Sequence, residues 1–396
     1  MFDRAHWQGR LDLLRSRYHV PGAALAMLVD GEIHELVSGV LPRDTGVRVT
    51  ADSVFQSGSI AKVYTATLVM QLVDSGELRL EALVVDVLPD FSIADDEVTK
   101  TVTVGQLLSH TSGIGGEFTH DTGRGDDCLA HYVEAGADVG QDCSSGTIVS
   151  EPEPAPVWDM LPRSAGPYGR VLVTAGDVVR SARMHLHDGL APDGTRMLST
   201  ESAATMRQRV ADCRGPWSFM ANGSGHEWAQ YDWDGVACYG HGRAVVGQFS
   251  YLRVVPDSGV IAALLANGGS ATGFFVDLFQ ELLGELAGVR LPDALAPPEE
   301  PRTVDVGALA GTYEREGVRI TVSESDGVPR VRLELTGVVA QYSPPIESGL
   351  APVSDSVLAM PGIGPVGAPW LPLVFGTLPD CTPYVYFGMR ASQKIS

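Results

Sequence analysis

Ser59-Ile60-Ala61-Lys62, at the head of the apolar run Val63-Tyr64-Thr65-Ala66-Thr67-Leu68-Val69-Met70, constrains this chain more than any other stretch. A serine that opens a helix and a lysine three residues on share one helical face. There the lysine amine, when neutral, can take the proton of the serine hydroxyl, while the helix N-terminus supplies positive partial charge to the developing anion. Residues 59–75, closed by Ser75-Gly76, therefore predict a helix that carries a nucleophile with its own base.

Lysine is scarce: Lys62, Lys100 and Lys394 stand against 25 arginines. Arginine cannot accept a proton near neutral pH, so Lys62 is not interchangeable with the commoner cation. From a model value near 10.4 its pKa has to fall by roughly three units, at about 4 kcal/mol, for the amine to be neutral at pH 7. Burial against Leu68, Val69, Met70, Leu72 and Val73 is expected to supply those surroundings.

A chain of 396 residues, 44% hydrophobic, can bury one large core and a smaller second one. Its net charge of −21 opposes nucleic acid or an anionic membrane surface as partner and leaves a small neutral or cationic ligand. The first ten residues are charged where a signal peptide needs an apolar run, and no later stretch approaches about 18 apolar residues. The expectation is a soluble cytoplasmic protein. Cys128, Cys143, Cys213, Cys238 and Cys381 are odd in number, widely spaced and free of any Cys-x-x-Cys pair, which suggests reduced thiols rather than a disulfide framework or zinc site.

A helix is expected over 3–17, then strands over 23–29 and 33–38 joined at Asp30-Gly31, which open an antiparallel sheet. After the Ser59 helix, 78–90 is expected to pack beneath it, and 104–109 to form a short helix. The pattern weakens over 118–150. Helices follow over 177–186 and 199–209, then a hairpin of 247–255 with 259–266, and a helix over 274–286. The order implies an α+β architecture: an antiparallel sheet flanked by helices and completed by pieces from opposite ends of the domain. The proline-rich, acidic stretch 292–301 reads as a linker between residues 1–291 and a small antiparallel β-domain, barrel-like, over 302–396. Its expected strands are 310–315, 318–324, 328–335 and 383–390.

These motifs resemble the penicillin-binding-protein-like serine hydrolases, the family that holds class C β-lactamases, esterases, D-stereospecific peptidases and penicillin-binding-protein-type thioesterases. Residues 54–62 look like the family's Ser-x-x-Lys motif, and Leu107-Leu108-Ser109-His110-Thr111-Ser112-Gly113 is similar to the stretch that follows it. Tyr239-Gly240-His241-Gly242-Arg243-Ala244 sits where members carry a Lys-Thr-Gly or His-x-Gly strand. The likeness spans most of 18–288, and the tail resembles the lipocalin-like domain of some members. The resemblance implies an acyl-enzyme on Ser59, with Lys62 as base and the backbone N–H groups of Ser59 and Ala244 as oxyanion hole. His241 keeps the first position of the strand motif and would position Lys62 or the acyl carbonyl, or simply be satisfied by backbone.

Two departures stand out. The family's Tyr-x-Asn or Tyr-x-Ser motif has no match: Ser150 runs straight into Glu151-Pro152-Glu153-Pro154, and neither Tyr132 nor Tyr168 is followed by Asn or Ser at the right offset. Arg243 stands where His-x-Gly members have glycine, and would crowd the site, bind a substrate carboxylate or point away into solvent. His185-Leu186-His187 is a poor metal pair, because residues two apart on a helix do not face each other. No Gly-x-Ser-x-Gly elbow and no phosphate-binding glycine loop is present. The sequence thus reads as a cofactor-free, metal-free serine hydrolase or acyltransferase acting on a small-molecule or peptide ester, amide or thioester. The alternatives are a catalytically impaired binding or scaffold module, and, within the enzymes, a thioesterase or peptide cyclase.

Overall fold

The computed structural model describes residues 2–42, 45–93, 95–114, 163–213, 221–245, 247–300, 302–315, 317–336, 344–362, 370–378, 380–388 and 390–396, without the side chains of Ser164 and 243–245. Cys128, Tyr132, Cys143, the 118–150 stretch and the Ser150-Glu151 junction lie outside the described residues.

Among the described residues an eight-stranded antiparallel sheet runs, edge to edge, through Glu32–Gly39, Gly22–Val29, Val260–Ala266, Gln248–Val255, Val236–Val245, Ala229–Trp233, Gly223–Ser224 and Ala211–Asp212. Its first and last hairpins meet one strand in from an edge, where Ala23 pairs with Ala266 and Leu28 with Ile261, so the sheet is completed by opposite ends of this part of the chain. These two strands, Gly22–Val29 and Val260–Ala266, are buried at every residue. Side chains alternate across a strand. Ala23, Leu25, Met27 and Val29 accordingly face one core with Val260, Ala262 and Leu264, while Ala24, Ala26 and Leu28 face another with Ile261, Ala263 and Leu265. A strand apolar on both faces needs a helical layer on each side.

The first layer holds Arg4–Arg17 and Ala271–Ala287. Asp3 caps the former by accepting from the His6 N–H, and Trp7, Leu11 and Leu14 form its buried stripe. The second layer holds Ile60–Asp74, Ala175–Leu186 and Thr200–Arg207, whose buried side chains share the other core. Asp30-Gly31 turns the first hairpin with both residues at positive φ, 51° and 81°. Asp234-Gly235 repeats this at 54° and 81°, in a hairpin of Ala229–Trp233 with Val236–Val245 whose first strand the sequence did not announce. Residues 78–90 differ from expectation. Val84 is buried, but Val87 and Leu88 are exposed, and only the four-residue helix Val84–Val87 forms, pinned by Val84 N–H to Val102 O at 3.0 Å.

Beyond Pro292, a nine-stranded antiparallel sheet has edge strands Ile346–Gly349 and Ala351–Ser354. Only Leu350 separates these two edges in sequence, so the sheet must curl until they lie side by side, which gives a nearly closed barrel. Its interior is filled by Tyr313, Ile320, Val322, Val331, Leu358, Met360, Leu373 and Val385. That core shares no residue with the two cores of the larger sheet. Among the described residues no helix is long and apolar enough to cross a membrane.

Candidate active site

Ser59 is placed by the segment before it. Phe55–Gln56 pairs with Leu172–Val173, and the Ser57 N–H donates to Val171 O at 2.8 Å. Gly58 then takes φ 53°, a left-handed turn that glycine adopts without strain. A tight turn opens the Ile60–Asp74 helix: Ile60 N–H donates to Ser57 O, Ala61 N–H to Gly58 O and Lys62 N–H to Ser59 O, at 3.2, 3.0 and 3.1 Å. These backbone acceptors take the helix's orphan donors, so the Ser59 side chain makes no cap hydrogen bond. Its Oγ is left for other chemistry.

Lys62 Nζ stands 3.2 Å from Ser59 Oγ and donates to the Tyr168 carbonyl at 3.0 Å. The Tyr168 ring centroid is 5.4 Å from the same nitrogen. The surroundings expected from Leu68 to Val73 are not those found. Leu68 and Leu72 are 63% and 43% exposed. Six residues along a helix is about 9 Å, beyond the reach of a side chain that folds back toward Ser59. The 163–171 segment supplies the neighbours instead, with Gly166–Arg170 forming a π turn across the helix. Thr65, one turn after Lys62, donates to Pro167 O at 2.6 Å.

The strand Val236–Val245 carries His241, Arg243 and Ala244. Two hydrogen bonds to its partner strand, Gln248–Val255, bring it beside the residues before Ser59: the Gln56 N–H donates to Gln248 Oε1 at 2.8 Å, and the Ser250 hydroxyl donates to Ser57 O at 2.6 Å. Gln248 pairs with Val245 and Ser250 with Arg243, so Ala244, opposite Phe249, lies between the two tie points. The backbone before the nucleophile therefore runs beside the stretch that the motif singled out. The Arg243 side chain lies outside the described residues. His241 is half-buried and its Nδ1 accepts from the Gly242 N–H at 2.9 Å, which leaves the proton of the neutral ring on Nε2. Behind the strand, Arg253 is buried among Tyr231, Trp233 and Phe275, 4.0 Å from the Tyr231 centroid, and its guanidinium donates to Leu252 O at 2.8 Å and reaches His241 O at 3.4 Å. Thr65, Pro167, Gln248 and Ser250 were not legible as site residues, since none belongs to a motif.

His185 lies against the Ser59 helix and His187 points to solvent, so the pair converges on no common point. Thr67 donates its hydroxyl proton to Val63 O and accepts at the same oxygen from His185 Nε2, 3.0 Å away. Burial, with the Arg207 charge, pushes the His185 pKa down to about 4. Unfolding restores a value near 6.5. The contribution of a neutral His185 is therefore complete above pH 6.5 and is lost as pH falls toward 4, with a slope approaching about 1.4 kcal/mol per pH unit. Urea unfolding at pH 7 and pH 5 should show the loss, and His185→Gln should flatten that part of the profile. An unchanged slope in the variant would remove His185 as its source.

The sequence model of the family described as Beta-lactamase matches residues 5–150 and, as a second piece, 146–284. A penicillin-binding protein 4 from Amycolatopsis lactamdurans is 62% identical over 376 residues, covering 80% of this chain and 99% of that protein. Since 80% of 396 residues is fewer than 376, some positions of that relative face no residue here. The crystal structure of SurE with D-Leu is similar over 99% of both chains, with a TM-score of 0.71 and 23% identity. That of a class C β-lactamase from Rhodobacter sphaeroides covers 71% of this chain and 99% of its own, with a TM-score of 0.54 and 17% identity.

Proposed function

We propose that this chain, which belongs to the β-lactamase family, acts as a serine hydrolase or acyltransferase through an acyl-enzyme on Ser59. One observation carries the reading: a serine hydroxyl released from helix capping, 3.2 Å from the amine of Lys62. Neutral Lys62 Nζ takes the hydroxyl proton as Oγ bonds to the acyl carbon and the carbonyl electron pair moves onto oxygen. The N–H groups of Ser59 and Ala244 receive that oxyanion. Collapse re-forms the carbonyl, breaks the bond to the leaving group and sends the proton from Lys62 toward it. Water or an amine then attacks the ester as Lys62 takes its proton, and collapse of the second intermediate breaks the Ser59 Oγ–acyl bond while Lys62 returns the proton to Oγ. His241 Nε2–H faces the acyl carbonyl or the amine, and Arg243 binds a substrate carboxylate. The substrate is a small-molecule or peptide acyl donor. Donors ending in a D-amino acid are the first to test, because the SurE crystal contains D-Leu.

The missing tyrosine motif supports a narrower activity. The family match comes in two pieces that meet at 146–150, where Ser150 runs straight into Glu151-Pro152-Glu153-Pro154. Without that relay, activated esters, whose leaving groups need no proton, are turned over, and amides are cleaved far more slowly, by about 10²–10⁴-fold. The same break motivates the second reading, a silent binding module. Intact-protein mass after incubation with a fluorophosphonate or a β-lactam separates the two. An adduct in the protein and none in Ser59→Ala supports the enzyme, and no adduct in either supports the silent module.

The barrel is proposed as a separate domain, residues 302–396, that narrows access to the site. Tyr386 of the barrel hydrogen-bonds Cys213, which follows the outer strand Ala211–Asp212 of the larger sheet, three strands from Val236–Val245. Because the barrel core is separate, a chain ending at Glu300 keeps both other cores. It should change the ratio of rates on short and long acyl esters several-fold while Ser59 labelling continues. An unchanged ratio in a folded truncation would count against the barrel as a selectivity element.

A further inference from the structure

We infer that Thr65 is a positioning residue for the proton transfer from Ser59, acting through the turn that holds the Lys62 amine. The inference rests on the acyl-enzyme reading above. Lys62 and Thr65 lie three residues apart on one face of the Ile60–Asp74 helix. They bind consecutive carbonyls of one turn, Lys62 Nζ that of Tyr168 at 3.0 Å and the Thr65 hydroxyl that of Pro167 at 2.6 Å. The turn is the π turn Gly166–Arg170, more than 100 residues away in sequence, where the backbone departs from the α-helical pattern that would dictate where its carbonyls point. The staple from Thr65 holds this turn against the helix.

That hold matters because of the geometry of a neutral amine. Its two N–H bonds and one lone pair point to the corners of a tetrahedron, and only the lone pair can receive the Ser59 proton. A carbonyl oxygen accepts and never donates. The Tyr168 carbonyl therefore takes an N–H and never the lone pair, holding the nitrogen at 3.2 Å from Ser59 Oγ with the lone pair in one of the two remaining directions. If Pro167 is released, the carbonyl next to it can shift, the amine can rotate, and the fraction of time in which lone pair and hydroxyl are aligned falls. Displacements of about 1 Å at such a point can cost as much as 10²-fold in rate. Thr65 touches neither the substrate nor the reacting atoms.

The experiment measures acylation by p-nitrophenyl acetate under single-turnover conditions in the full chain and in Thr65→Val, Thr65→Ala and Thr65→Ser. Thr65→Val keeps the shape and loses the hydroxyl, and Thr65→Ser keeps the hydroxyl. The expected result is an acylation rate constant lowered about ten-fold or more in Thr65→Val, with half-saturation for the ester unchanged and one acyl group per chain at completion. Thr65→Ser should recover to within a few-fold of the parent. Thr65→Ala, which also lacks the hydroxyl without adding bulk, should match Thr65→Val and stands in for it should the valine fail to fold. Parent-like acylation by a folded valine or alanine variant overturns the inference, as does a serine variant as slow as valine. Failure of the parent to acylate at Ser59 overturns the acyl-enzyme reading itself, and with it this inference, whereas acylation at equal rates in all four proteins removes only the role of Thr65.

Discussion

Ser59→Ala is expected to reduce hydrolysis of a p-nitrophenyl ester to the uncatalysed background while leaving the melting temperature within a few degrees of the parent. Loss of the nucleophile in an acyl-enzyme mechanism is worth on the order of 10⁶-fold, since the remaining groups do not act independently of it. The fold has little to lose: the Ser59 side chain caps nothing, and the backbone N–H groups at the helix start are held by the carbonyls of Ser57, Gly58 and Ser59. Removing one hydroxyl whose partner is a half-buried amine costs about 1 kcal/mol. Steady-state rates together with a thermal melt therefore separate chemistry from folding. A variant that retained more than a few per cent of the activity would take Ser59 out of the mechanism.

Lys62→Arg should be almost as damaging as Lys62→Ala, each lowering the acylation rate by about 10²–10⁴-fold, the usual worth of a general base. Guanidinium keeps the positive charge, but it stays protonated throughout the working pH range and accepts no proton. Electrostatic and basic roles make opposite forecasts here. If Lys62 only stabilised the oxyanion, arginine would preserve most of the rate. If it is the base, arginine fails at neutral pH. Comparison of single-turnover acylation in the two variants decides this, and near-parent activity in Lys62→Arg would overturn the base assignment.

Much of the architecture was readable because the responsible signals are local. The Ser59 helix was expected over 59–75 and runs over Ile60–Asp74 between Ser59 and Ser75 caps. The first hairpin follows from Asp30-Gly31, whose left-handed φ values match the twist of its strands. The barrel was legible as a class, but its strands Ile346–Gly349, Ala351–Ser354, Val357–Met360 and Leu371–Thr377 were not. Three of them are four residues long, too short for a two-residue period to show above turn signals. Ala229–Trp233 was missed for another reason: its burial alternates, but Gln230 and Asp232 give it a polar composition.

The site divides along the same line. The serine and lysine positions follow from sequence, because three residues of helix fix their relation whatever the rest of the chain does. The surroundings of Lys62 do not follow from sequence. Of the apolar residues expected around it, Leu68 and Leu72 turn outward and Met70 joins the second core, and the partners of the amine come from 163–171, a segment whose approach to the helix depends on the packing of the whole second layer. The approach of Ala244 to Ser59 is likewise tertiary, set by Gln248 and Ser250 reaching back from the neighbouring strand to Gln56 and Ser57. Sequence by itself determined what sits one helical turn from the nucleophile, because covalent spacing and helix geometry leave no freedom there. Tertiary structure alone decided which carbonyl holds the amine and which strand borders the serine, because contacts between residues more than 100 positions apart are fixed only when the cores between them pack.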